Sequence, residues 1–233
     1  MKRIIKVSLI LLLVGMAVIA AVPFFKEKRA ERKYENEFKN IQESVTEKKS
    51  DVNGLVKKNK DCIGYVEIPG TTISYPVMHT KDNPDFYLNH DFNRNYSFYG
   101  TPYLSAYCDV NKSDNLIIYG HNINGGKMFG ALEQYKDKEF FNKHRKIYFT
   151  TDKKREYEVF AVMSVNIHEF EYWKFVMARD AKEYDEFVDK VEEHSLWRQR
   201  NKPKYGEQML MLSTCDNRRG DDWRIVVIGK MIV

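Results

Sequence analysis

Residues 209–233 read MLMLSTCDNRRGDDWRIVVIGKMIV, two apolar runs on either side of a polar turn. Runs of Met, Leu, Ile and Val belong to strands covered on both faces, and the intervening DNRRGDD has the chemistry of a surface turn. The stretch therefore reads as two buried antiparallel strands joined as a hairpin. Two reactive side chains occupy matched places in it. Cys215 ends the first strand and Arg224 begins the second, nine residues later, so pairing the strands sets the guanidinium across from the sulfur.

Outward from this hairpin, the chain from Cys62 onward has the same texture. IGYVEI (63–68), ISYPVM (73–78), TPYLSA (101–106), NLIIYG (115–120), KIYFTT (146–151), EYEVFAVMSV (156–165), QMLMLST (208–214) and WRIVVIGKMIV (223–233) are eight candidate strands. They are rich in Val, Ile, Tyr and Thr and predict a mainly β protein, a barrel or sandwich. Two stretches break the pattern. GGKMFGALEQYKDKEFFNKH (125–144) predicts one or two short helices, and DAKEYDEFVDKVEEHSLW (180–197) a long helix between late strands. The long helix lines up Tyr184, Phe187, Val188, Val191 and Ser195 on one face.

The N-terminal part is different. Lys2, Arg3 and Lys6 precede an uncharged run from Val7 to Phe25. As a helix that run spans about 28 Å, close to the ~30 Å hydrocarbon core of a bilayer, and it exceeds the ~7–15 residues of a cleaved signal's apolar region. One transmembrane helix is expected. Residues 26–60 are highly charged yet carry Tyr34, Phe38, Ile41 and Val45 at helical spacing, which predicts a helical segment packing on the domain, broken at Asn53–Gly54. The expected organisation is a membrane anchor over 1–25, a helical linker over 26–60 and a β domain over 61–233.

Composition narrows the function classes. A chain of 233 residues with 43% hydrophobic and 14% aromatic content can build a real core, and a net charge of +5 without a long basic stripe does not point to nucleic acid. Three cysteines, Cys62, Cys108 and Cys215, are an odd number, so at least one is a free thiol. No CxxC, HxxxH or EF-hand spacing implies a metal. GHNINGGKM (120–128) lacks the first glycine and the Ser/Thr of a phosphate-binding loop, so neither a nucleotide nor any other cofactor is expected.

Most free cysteines are small core residues, but a thiol at a strand-to-loop boundary is partly exposed and open to substrate. It needs a proton acceptor, usually histidine. Of six histidines, His144 in NKHRK and His194 on the long helix read as surface groups, while His79 and His168 lie in polar segments without special framing. His90 in YLNHDF is a second choice. His121 stands out because NLIIYGHN runs an apolar strand into Gly120, whose backbone freedom allows a sharp exit, and then delivers an imidazole. Arg224, inside an apolar strand, can stabilise a thiolate or an oxyanion, whereas Arg218 and Arg219 read as solvated turn residues.

YGHN with His121, LSTC with Cys215, and Arg224 heading the next strand together resemble the signature of sortases, the cell-wall transpeptidases of Gram-positive bacteria. The resemblance runs from about residue 30 to 233. The helical stretch before the barrel, the long late helix and FYLNHDF (86–92) resemble class B. It implies an eight-stranded β-barrel and an extracellular domain on a single-pass membrane anchor. It also implies that Cys215 attacks the Thr carbonyl of a C-terminal sorting motif in a secreted protein, and that a peptidoglycan-precursor amine resolves the thioester. By the same resemblance His121 is the acid and base and Arg224 holds the oxyanion or substrate backbone. Ser213, Thr214, Asn89 and Tyr119 are implied substrate contacts. Met211, where Thr or Val is common, and the charged turn after Cys215 depart from the family pattern and bear on substrate preference.

Overall fold

A computed structural model of the protein describes residues 52–197, 199 and 201–232, and from the N-terminal part residues 6, 12, 15–29, 32, 33, 35, 36 and 39. The chain divides into two units, Met1–Glu47 and Lys48–Val233. In the first, residues 15–29 are helical. Among the described residues no helix is long and apolar enough to cross a membrane. The run Val7–Phe25, expected to span a bilayer, lies partly outside the described residues, and the stripe Tyr34, Phe38, Ile41 and Val45 lies outside them.

The second unit is built on a closed eight-stranded barrel. Its strands are β1 (Cys62–Glu67), β2 (Ser74–Met78), β3 (Tyr103–Leu104), β4 (Asn115–Tyr119), β7 (Lys146–Thr150), β8 (Lys154–Asn166), β9 (Met209–Cys215) and β10 (Trp223–Met231). Around the barrel the order is β1-β2-β3-β4-β9-β10-β8-β7, closed by β1 against β7. All eight candidate strands of the sequence are in this barrel. TPYLSA contributes only the two residues of β3, since Pro102 has no N–H to give to a ladder.

β9 explains its own composition. It pairs in parallel with β4 on one side and antiparallel with β10 on the other, and Met209 through Leu212 are fully buried. With neighbours on both edges and core on its inner face, the strand has no use for alternating polarity. Burying each of these side chains is worth roughly 2 kcal/mol. β10, its partner, also pairs along its length with β8 and shifts register between Ile228 and Gly229.

Helix α1 (Val52–Lys58) buries Val52 and Leu55. It runs straight through Asn53–Gly54, where the sequence predicted a break. Those two residues occupy the first turn, whose N–H groups have no intrahelical acceptor to lose, and the buried apolar pair holds the turn in place. The 125–144 stretch is a 3₁₀ helix, Gly130–Lys136, followed by α2 (Lys138–Lys143), which Asp137 caps by accepting from the Phe140 N–H. Ahead of it, β5 (Asn122–Ile123) and β6 (Lys127–Met128) make a small separate hairpin, turned by Gly125 and Gly126 at φ 77° and 74°. α3 (Ala181–His194) lies between β8 and β9, capped by Asp180, and buries Tyr184, Phe187, Val188 and Val191 as its periodicity predicts.

Candidate active site

β4, β9 and β10 are neighbours in the barrel, and their ends converge. Arg224 is the ladder partner of Cys215, and Tyr119 at the end of β4 is the partner of Ser213. A cavity of about 560 Å³ opens there, lined by Cys215, His121, Arg224, Ser213, Thr214 and Tyr119 among others. Six of the seven site residues drawn from the sequence therefore line one cavity. The seventh, Asn89, is exposed and outside its lining.

Cys215 is half-buried, whereas Cys62 and Cys108 are buried. Burial pushes both of the latter thiols up to about 11, and each donates its S–H to a backbone carbonyl, Gly64 and Asn115 respectively. All three are free. Of the three thiols only Cys215 combines accessibility with a place on the cavity wall.

His121 is held by a backbone contact the sequence did not disclose. Its Nε2 lies 2.8 Å from the Leu88 carbonyl oxygen. A carbonyl only accepts, so this bond puts the proton on Nε2 and leaves Nδ1 outside that contact. The Phe98 ring lies parallel to the imidazole, with centroids 6.4 Å apart. FYLNHDF thus serves the site through the main chain of Leu88, one residue before Asn89.

Gly120, which feeds β4 into His121, is required for a different reason from the one expected. Its φ is not in the left-handed region; instead, a Cβ there would lie 2.8 Å from the Phe129 ring. Close approach, not backbone freedom, demands glycine. The neighbouring backbone is tied to β9, since Gly120 N–H donates to the Ser213 carbonyl at 3.2 Å and the Thr214 hydroxyl donates to the Gly120 carbonyl at 2.7 Å. Thr214 thereby couples the Cys215 strand to the His121 strand.

Ser213 is buried and its Oγ lies 2.7 Å from the hydroxyl of Tyr172. Burial pushes the Tyr172 phenol up to about 12, with the Ser213 hydrogen bond and the Arg224 charge acting the other way. Arg224 directs Nη1 to the carbonyls of Asp221 (2.5 Å) and Trp223 (3.0 Å). Among the described residues, its Nε and Nη2 make no hydrogen bond and remain open to a ligand.

A chain of polar contacts beneath the thiol went unread in the sequence. Asn122 donates from Nδ2 to the Cys215 carbonyl (2.8 Å) and to Glu133 Oε1 (3.0 Å). Glu133 Oε2 pairs with Lys136 Nζ at 3.1 Å, and Lys136 reaches the fully buried Asp216 carboxylate at 2.7 Å. Ser164 on β8 donates to the same Asp216 oxygen at 2.6 Å. Burial alone raises the Asp216 carboxyl, but Lys136 and Ser164 outweigh it and hold the group below the ordinary carboxylate range. The residues following His121 and Cys215 are thus joined through one 3₁₀ helix.

His144 also departs from expectation. It is buried, with Nδ1 2.9 Å from the Pro69 carbonyl and its ring 4.2 Å from that of Phe140. Of the basic residues flanking it, Lys143 is exposed while Arg145 lies half-buried over the Phe141 ring, and the turn that ends α2 carries the imidazole inward.

Comparison with known proteins agrees with this arrangement. A family model described as the sortase domain matches residues 66–232. The chain belongs to the sortase family. Sortases are cysteine transpeptidases, which accords with a thiol, an imidazole and a guanidinium around one cavity. The chain is 30% identical to sortase B of Listeria monocytogenes over 190 residues, 80% of this chain and 76% of that protein. It is 28% identical to sortase B of Staphylococcus aureus, covering 100% of this chain and 98% of that one. The structure of Clostridium perfringens sortase B superposes with a TM-score of 0.72 at 30% identity, covering 78% of this chain and 99% of that one. A Staphylococcus aureus sortase B–substrate complex gives 0.77 at 26% identity, with 89% and 98% covered.

Proposed function

We propose that this protein is a membrane-anchored class B sortase that joins secreted proteins to a cell-wall precursor outside the cell, with Cys215, His121 and Arg224 as its reactive groups. The reading rests on one observation: side chains from three separate elements, β9, the exit of β4 and the start of β10, line a single cavity. In it, Cys215 gives its thiol proton to His121 and the sulfur adds to the Thr carbonyl carbon of the sorting motif. Arg224, through Nε and Nη2, stabilises the resulting oxyanion. The Thr C–N bond then breaks, and His121 gives a proton to the departing amine, leaving a thioester.

In the second half, the acceptor amine attacks the thioester carbon. His121 takes its proton, and the Cys215 thiolate leaves as the new amide forms. Ser213, Thr214 and Tyr119 contact the motif in this scheme. Residues 1–25 anchor the protein as one transmembrane helix, residues 26–60 link it to the catalytic domain over 61–233, and the basic residues after the span meet anionic headgroups. The apolar run Val7–Phe25 and the family's cell-surface chemistry support that placement.

The test is a panel of quenched sorting peptides with an amine acceptor, read by mass spectrometry for products and for an adduct on Cys215. A transpeptidation product that disappears in Cys215→Ala supports the reading. Peptide hydrolysis that persists with every acceptor supplied assigns the protein to motif-specific proteolysis instead. No adduct with any peptide, and a Cys215 no faster to alkylate than Cys62 or Cys108, reduces it to a binding module.

A further inference from the structure

The parallel β4–β9 ladder stops at the pair Tyr119 and Ser213, two residues short of both the imidazole and the thiol. Continued by two residues, that register would set His121 opposite Cys215. β4 instead leaves the sheet after Tyr119, and past the end of a ladder the evenly spaced bonds that hold a parallel pair are gone. Side chains take over there. The Thr214 hydroxyl bonds the Gly120 carbonyl, Asn122 donates from Nδ2 to the Cys215 carbonyl at 2.8 Å, and Asn217 Nδ2 donates back to the Asn122 carbonyl at 3.2 Å. The two chain exits are thus clasped in both directions.

The Asn122 amide has one usable orientation. Its Nδ2 serves two partners, the Cys215 carbonyl and Glu133 Oε1 at 3.0 Å, and a carbonyl and a carboxylate only accept. Turning the amide over would set its oxygen against both. Glu133 sits on the 3₁₀ helix Gly130–Lys136, which approaches closely because residue 130 is glycine; a Cβ there would collide with the Ile123 carbonyl. The return of the chain to that helix is held as well. Met128 is fully buried at φ 51°, a left-handed conformation for a long side chain, and the next N–H, of Phe129, donates to the His121 carbonyl at 2.9 Å. Backbone in that region persists only where its surroundings impose it.

We propose that Asn122 is a positioning residue: oriented by Glu133 and seconded by Asn217, it fixes the separation between the His121 imidazole and the Cys215 sulfur. The assignment rests on the reading of that pair as reactive given above. Asn122 and Asn217 both lie outside the lining of the cavity, so neither is placed to touch a bound peptide. They act through the two backbones they join. Proton transfer between a thiol and an imidazole tolerates little misplacement, about 1 Å being enough to cost on the order of a hundredfold in rate.

The experiment uses the full-length protein and two readouts. In turnover of a sorting peptide, Asn122→Ala should lower kcat by roughly ten- to a hundredfold and leave KM within about twofold, since the peptide's own contacts are intact. Asn217→Ala, at an exposed position, should lower kcat by about threefold, the scale of one modest hydrogen bond. The second readout needs no substrate: the rate of Cys215 alkylation by iodoacetamide as a function of pH, in wild type, Asn122→Ala, His121→Ala and the double variant. Acting through the imidazole, Asn122→Ala changes that rate about threefold or more in the wild-type background and leaves it unchanged once His121 is gone. Should Asn122→Ala misfold by circular dichroism, the same cycle with Asn217→Ala decides. An equal change in both backgrounds overturns the proposal, because the amide would then only brace the Cys215 strand, and so does a loss carried by KM. Coupling in the alkylation cycle while wild type forms no thioester with any peptide keeps the positioning role and removes the transpeptidase reading. Transpeptidation without coupling does the reverse.

Discussion

Arg224 and Cys215 face one another across the β9–β10 ladder, and the guanidinium is anchored by its own hairpin's carbonyls through Nη1 alone. A cation on a strand, opposite a strand-end thiol, cannot drift as a loop arginine would. Replacing Arg224 with Ala should lower turnover of a sorting peptide about a hundred- to a thousandfold, the usual cost of one oxyanion donor. Arg224→Lys keeps the charge but not the fork and should recover little of it. Steady-state kinetics showing a loss mainly in KM would argue against an oxyanion role.

His121 is oriented by the Leu88 carbonyl through Nε2. His121→Ala should reduce kcat by roughly a hundred- to ten-thousandfold, as for other general acid–base groups. Loss of the imidazole should also slow alkylation of Cys215 near neutral pH. Equal alkylation rates in variant and wild type would separate the two residues functionally.

The pairing of half-buried Lys136 with fully buried Asp216 gives a pH test with a sign. In the wild type the depressed Asp216 carboxyl contributes stability above the unfolded value of about 4, and that contribution is lost as pH falls through its lower folded value. Lys136→Met strands the carboxylate without its cation, which should cost about 3 kcal/mol near pH 7. The shift then reverses, because burial raises the group, so the variant's Tm should climb between pH 7 and 5. A Tm in Lys136→Met that falls steadily over that interval would contradict this account.

Gly120→Ala drives a methyl into the Phe129 ring next to His121. Overpacking of this kind costs about 1–3 kcal/mol. Denaturant midpoints should fall accordingly, and a second change, Phe129→Leu, should restore part of the loss by making room. Restoration by Phe129→Leu separates crowding from a backbone-angle requirement, which the second change would not touch.

The barrel strands, the late helix and the Cys215–Arg224 register were legible in the residues because each is a local property. Apolar runs, a polar turn of fixed length and 3.6-residue spacing constrain neighbours in the chain directly. His121 was legible for a related reason, as an apolar run leads through Gly120 directly into it. The errors have local causes too. Asn53–Gly54 carries turn residues inside a helix held by Val52 and Leu55, and His144 is surrounded by charges yet buried against Pro69 and Phe140.

What the sequence alone determined, then, is a β protein with a thiol, an imidazole and a guanidinium at strand ends. Only the tertiary structure decided what holds them: Leu88 on His121, Asn122 on the Cys215 carbonyl, Lys136 on Asp216, and Tyr172 on Ser213. These partners lie far apart along the chain. Periodicity and turn chemistry say which face a side chain presents, but which distant backbone arrives opposite it depends on how the barrel closes.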